Sequence, residues 1–139
     1  MGFYERYKAV FDNVKSAIGG ISAIKRTVLG ERFKLTSLPL AIINPTTSRI
    51  EQLAIGSSLK ALISFDVILV IRQTEPKDWF DDIISLMGSC VDAILADRRL
   101  GGACQDVYPT SFSPGEIRFA EKIYYGGLIS FEALLHYTP

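Results

Sequence analysis

The sequence predicts an α+β fold, a two-layer sandwich in which two main helices pack on one face of a largely antiparallel sheet. Three observations lead there. Apolar residues recur at three- and four-residue steps near the start of the chain and again over 79–95, marking two amphipathic helices. The stretches 61–73 and 128–137 instead alternate with period two, as strands with one buried face do. Glycine pairs at 19–20, 101–102 and 126–127 punctuate these elements.

The first helix is expected from about Tyr4 to Ile18. Phe3, Tyr7, Val10, Phe11, Val14, Ala17 and Ile18 form its apolar stripe, with Glu5, Arg6, Lys8, Asp12 and Lys15 between them. Gly19 and Gly20 should stop it, because glycine readily takes the left-handed conformation at a helix end. Residues 21–37 mix Thr27, Val28, Leu29 and Phe33 with scattered charges, which suits either short strands or a long surface connection. LPLAIINP then reads as a short buried strand, PTTSR as a turn, and Arg49–Ile55 as another strand ending at Gly56.

The strongest strand signal is Ala61–Gln73. One face carries Ala61, Ile63, Phe65, Val67, Leu69 and Ile71; the other carries Leu62, Ser64, Asp66, Ile68, Val70 and Arg72. The expected second helix starts near Thr74-Glu75-Pro76 and runs to about Ala96. Proline suits its first turn, and Asp78, Asp81 and Asp82 complement the positive end of its dipole. Arg98 and Arg99 follow its C-terminus, where positive charge is favourable. Beyond them the pattern predicts a strand over 103–108, a loop over 109–115 exposing Phe112 between two prolines, and a strand over 116–125. Gly126-Gly127 then reads as a bulge or tight turn before a terminal strand. That strand places Ile129, Phe131, Ala133, Leu135 and Tyr137 on one face and Leu128, Ser130, Glu132, Leu134 and His136 on the other.

Composition narrows the function classes. With 139 residues the chain reads as a single domain, 1–139, large enough to bury a core without disulfides or metal. Fifteen basic and fifteen acidic side chains give no net charge, which argues against a phosphate-neutralising nucleic-acid binder. Cys90 and Cys104 lack metal-ligand spacing, and Cys90 falls on the apolar side of a helix, as an inert packed thiol would. No signal or transit sequence precedes the first helix, and Asp66 interrupts the greasiest run, so a soluble protein made in a cytoplasm is expected, without membrane contact.

Signs of chemistry are sparse. His136 is the single histidine and has no neighbouring nucleophile pattern. Asp78 and Asp82, one helical turn apart, match a shared metal less well than a helix N-terminus collecting acids. Asp66 sits among Ile68 and Val70 and calls for a partner, which Arg72 or Arg49 would supply across strands as a structural ion pair. The glycine pairs match neither a P-loop nor a dinucleotide fingerprint. The expectation is a protein without catalytic residues, metal or cofactor. The mixed outer faces of the two long strands instead suggest a partner.

Taken in order, the elements resemble the small tail terminator, or tail-completion, proteins of long-tailed bacteriophages and prophages. The likeness rests on the N-terminal helix, LPLAIINP, and LISFDVILVIR leading into WFDDIISLMGSCVDAILAD. RRLGGACQDVYP and the closing YYGGLISFEALLHY with its near-terminal tyrosine complete it, whereas residues 21–37 carry none of it. The resemblance implies a structural homo-oligomer, typically a hexameric ring, that caps the tail tube, ends its polymerisation and presents a surface to the head-side connector. Its partners would be itself, the tube protein and the connector protein, in the host cytoplasm during assembly and then in the virion tail. A ring needs two different patches per subunit. The candidate interface residues are Asp66, Arg72, Arg98, Arg99, Phe112, Tyr124, Tyr125, Glu132 and His136, with Tyr124, Tyr125 and Arg98 as anchors, since aromatics and arginine dominate such sites. Two alternatives stand beside this reading: a small α+β enzyme or ligand-binding domain with a pocket near Asp66 and His136, and another phage neck or baseplate subunit.

Overall fold

A computed structural model describes residues 2–30, 37–53, 58–72, 79–119 and 122–138. Its elements run α1 (Phe3–Gly19), β1 (Arg26–Leu29), β2 (Leu40–Pro45), β3 (Arg49–Gln52), β4 (Leu59–Arg72), α2 (Trp79–Leu95), a 3-10 turn at Leu100–Gly102, β5 (Asp106–Phe119) and β6 (Lys122–Tyr137). The six-stranded sheet has the order β1-β2-β4-β6-β5, with β3 beside β2 on the same flank of β4. All pairings are antiparallel except β1 with β2. Both helices pack on one face, so the α+β sandwich expected from the sequence is the fold. None of the described helices is long and apolar enough to cross a membrane.

Period-two alternation explains which sheet face carries the core. Ala61, Ile63, Phe65, Val67, Leu69 and Ile71 of β4, with Ile129, Phe131, Ala133 and Leu135 of β6, are buried beneath the helices. Helix α1 contributes Val10, Phe11, Val14 and Ile18, and α2 contributes Ile83, Leu86, Met87, Cys90 and Ile94. Rings run through this core from Phe11 to Phe65, 5.5 Å between centroids, and from Phe65 to Phe131, 5.3 Å apart and nearly parallel. Leu40, Ile42, Val70 and Tyr124 form a second, smaller buried cluster on the opposite face.

Three expectations are corrected. The predicted loop over 109–115 is strand: β5 continues through both prolines, with a register shift between Pro109 and Ser111. Proline is tolerated because β5 is an edge strand, where amides turned away from β6 need no partner strand. Gly126-Gly127 is not a turn either. Both residues lie inside the 16-residue strand β6, paired with Val70 and Leu69 on one side and Gly115 and Pro114 on the other. A Cβ at Gly126 would fall on the Leu69 carbonyl, and one at Gly127 on the Met87 thioether, so these glycines answer close approach rather than chain reversal. The nearby irregularity is on β4, between Val70 and Arg72.

The third correction concerns Gly20, which ends α1 in a right-handed conformation (φ −77°, ψ −8°) and donates its N–H to the Ser16 carbonyl. Positive φ is found instead at other glycines, among them Gly30, Gly101 and Gly102, with φ of 91°, 68° and 91°. Within 21–37, β1 is a strand; residues 31–36 lie outside the described residues, as do the expected helix start at 74–76, Asp78, and the strand end at Ile55 and Gly56. Within the apolar recurrence over 79–95, Phe80 is half exposed at the start of α2.

Candidate assembly surfaces

Strand register builds the sheet face opposite the helices as successive rows. Directly paired residues share a face, so Arg49, Leu62, Leu134 and Asp106 form one row across β3, β4, β6 and β5. Ser64, Glu132 and Tyr108 form the next, followed by Asn44, Asp66, Ser130 and Ser111. Val28, Ile42, Ile68, Leu128 and Ser113 complete a largely apolar row beyond them. Leu62, Leu134, Ile68 and Leu128 are each half-buried, and a polar band separates the leucine pair of the first row from the apolar row beyond.

Register also decides the partners within that band. Ser130 donates its hydroxyl to Asp66 Oδ1 at 2.7 Å, and Tyr108 donates its phenol to Glu132 Oε2 at 2.9 Å. Both are facing pairs, Asp66 with Ser130 and Tyr108 with Glu132. The hydrogen bond to Glu132 holds the Tyr108 phenol above its ordinary pKa, because losing the proton forfeits the bond beside a negative charge. Asp66 thus has a hydroxyl partner; of the two arginines expected to pair with it, Arg49 lies within 3.4 Å of Glu51 on its own strand, and the Arg72 side chain lies outside the described residues.

The remaining sequence candidates scatter. Arg98 reaches from the end of α2 to the first residue of β5, making two hydrogen bonds to Asp106 at 2.7 and 3.0 Å. That pair holds the Asp106 carboxyl below its usual range and the Arg98 guanidinium above its own. Arg99 is exposed and its backbone N–H donates to Asp97 Oδ1 at 3.2 Å. Tyr124 is buried in the smaller cluster, and Tyr125 is half-buried against the main core, so neither presents itself as the exposed anchor its residue type suggested. His136 is exposed on β6, and its carbonyl accepts a hydrogen bond from Arg6 at 3.2 Å.

Asp66 and His136 share the outer face but pair with Ser130 and Lys60 respectively, six positions apart on β4. At strand rise that is roughly 20 Å, too far for one small-molecule site to join them. The cavities beside Phe112, beside Ile71 and beside Asn13 are lined by other residues. Among the described residues no three His, Cys, Asp or Glu side chains converge on a metal position. Both thiols are buried, and desolvation pushes Cys90 up to about 12 and Cys104 up to about 11, which keeps them protonated and unreactive at neutral pH.

A second surface lies on the helix side of the β5 edge. Phe112 pairs with Ile129 and so faces the helices, yet it is 44% exposed. Between Phe112, Pro109, Thr110 and Ser111 of β5 and Gly88, Val91 and Asp92 of α2 runs an open, mostly apolar groove of about 390 Å³. Sequence reading singled out Phe112 but missed Gly88, whose signal was a glycine in the middle of an otherwise strong helix. No family model matches the chain, and no curated protein matches it.

Proposed function

We propose that this chain is a non-enzymatic structural subunit of a long-tailed phage or prophage, assembling into a ring that caps the tail tube. The ring ends tube polymerisation and offers the docking surface for the head connector. The observation that carries the reading is the presence of two chemically different surfaces on one small domain. One is the banded outer face of the sheet and the other is the apolar groove at the α2–β5 edge. Closed rings are built from heterologous contacts and require two such unlike patches on every subunit, whereas a simple two-fold dimer requires one. The side-chain hydrogen bonds on the outer face tie Asp66, Ser130, Tyr108 and Glu132 into a fixed pattern, as suits a surface recognised by shape.

On this reading its partners are further copies of itself, the tube protein and the connector protein, and its places are the host cytoplasm during assembly and then the virion tail. Light scattering over a range of concentrations tests it. The expected result is a mass that rises to a plateau near six times 15.4 kDa. A mass of one chain at every concentration overturns the self-assembling ring.

A further inference from the structure

Gly88 sits in the middle of α2, where a glycine disfavours the helix by roughly 1 kcal/mol relative to alanine. Among the described residues nothing repays that: a Cβ built there meets no atom within 4 Å, and the residue lines the groove beside Phe112. The groove thus borders a helix position where an added Cβ would stand in open space.

Charge distinguishes its occupant. Helix α2 carries Asp81, Asp82 and Asp92 and no lysine or arginine. Asp81 and Asp92 are exposed and share a helix side with Gly88, being seven residues before it and four after it. The opposite edge of the same sheet is the complement. Strand β1 and its approach, residues 25–30, carry Lys25 and Arg26 and no acid, both side chains exposed, and end on Leu29, which is 45% exposed. Lys25 precedes Leu29 by four residues, about 13 Å at strand rise. Asp81 precedes Gly88 by seven, about 10 Å at helical rise, a difference within reach of a lysine side chain. The chain has no net charge, so two copies meet without overall repulsion to oppose the attraction between these edges.

We infer that the α2–β5 groove seats the β1 edge of a second copy, with Leu29 lying over Gly88 against Phe112 and Lys25, on the same side of the strand as Leu29, facing the acidic side of α2. The contact joins opposite edges of one sheet and is therefore head-to-tail, as a ring requires; in this respect it rests on the reading above.

The test uses mixed single variants of the full chain, Gly88→Cys and Leu29→Cys. These positions lie at opposite edges of a subunit and cannot join within one chain, and the native thiols are buried. Under mild oxidation the mixture is expected to give a covalent pair joining one variant to the other, and each variant alone to give none. Charge reversal supplies the second arm: Asp81→Lys and Lys25→Asp should each weaken association about tenfold, as like-charge juxtaposition does, and the double reversal should restore it. Circular dichroism melts confirm that each variant is folded. A native protein that associates while cross-linking fails and the reversals leave its mass unchanged overturns this contact and spares the ring. A native protein that stays monomeric at all concentrations overturns both.

Discussion

Gly88 and Gly126 show how one residue type serves opposite ends in this chain. At Gly126 a methyl group would strike the backbone of β4, and backbone cannot step aside as a flexible side chain can. Gly126→Ala is expected to destabilise by about 2–3 kcal/mol, the scale of forced overpacking, measured by urea unfolding. Gly88→Ala meets open space and should stabilise by about 1 kcal/mol through helix propensity. The thiols add a pH signature. Each folded pKa lies above the ordinary value of 9.0, so the unfolded chain releases thiol protons first as pH rises. Stability is expected to be undiminished below pH 9 and to fall between about 9 and 12, a loss that Cys90→Ala should reduce in pH-dependent melts. Asp106 runs the other way. Its folded pKa is lowered by Arg98, so the pair contributes above the ordinary carboxylate pKa and is lost as pH falls through the folded value. Arg98→Ala should raise the Asp106 titration midpoint toward the ordinary carboxylate value, as read by NMR. Its effect on stability should be slight, since both side chains are exposed to solvent.

At the level of elements, the helices and the central strands were legible because their apolar spacing states both period and face. The helix-side buried set on β4 is the alternation read directly from Ala61 to Ile71. The β5–β6 hairpin was not legible, because prolines and glycines signal turns in isolation and only the position of a strand in the sheet cancels that signal. Pro109 and Pro114 are admissible in β5 because it lies at an edge, and Gly126-Gly127 are needed in β6 because it lies between two strands and under Met87. The prolines also remove two backbone donors from the longer of the two outermost strands. Replacing both with valine is expected to promote open-ended association, seen as light scattering that grows with time instead of reaching a plateau.

The whole molecule is organised around the stacked Phe65 and Phe131, which join the two central strands under α1. Phe65→Ala should cost about 3–5 kcal/mol, measured by urea unfolding, and should lower stability without altering which surfaces the folded subunit presents. Of the nine interface candidates, Asp66 and Glu132 came from strand alternation and do lie together on the outer face, while Phe112 lies on the other side of the sheet. Tyr124 and Tyr125 were chosen by residue type, and type does not report burial: one closes the small cluster, the other packs on the main core.

By itself the sequence determined the class of fold, the inward faces of its helices and of its central strands, and the buried state of Cys90, because each is a local periodicity that burial of apolar surface must obey. Tertiary structure alone decided that Asp66 is answered by a serine and that β5 runs unbroken through two prolines. It also decided that a groove opens over Gly88. These depend on strand order and register, which bring together residues far apart in the chain and which no local pattern encodes.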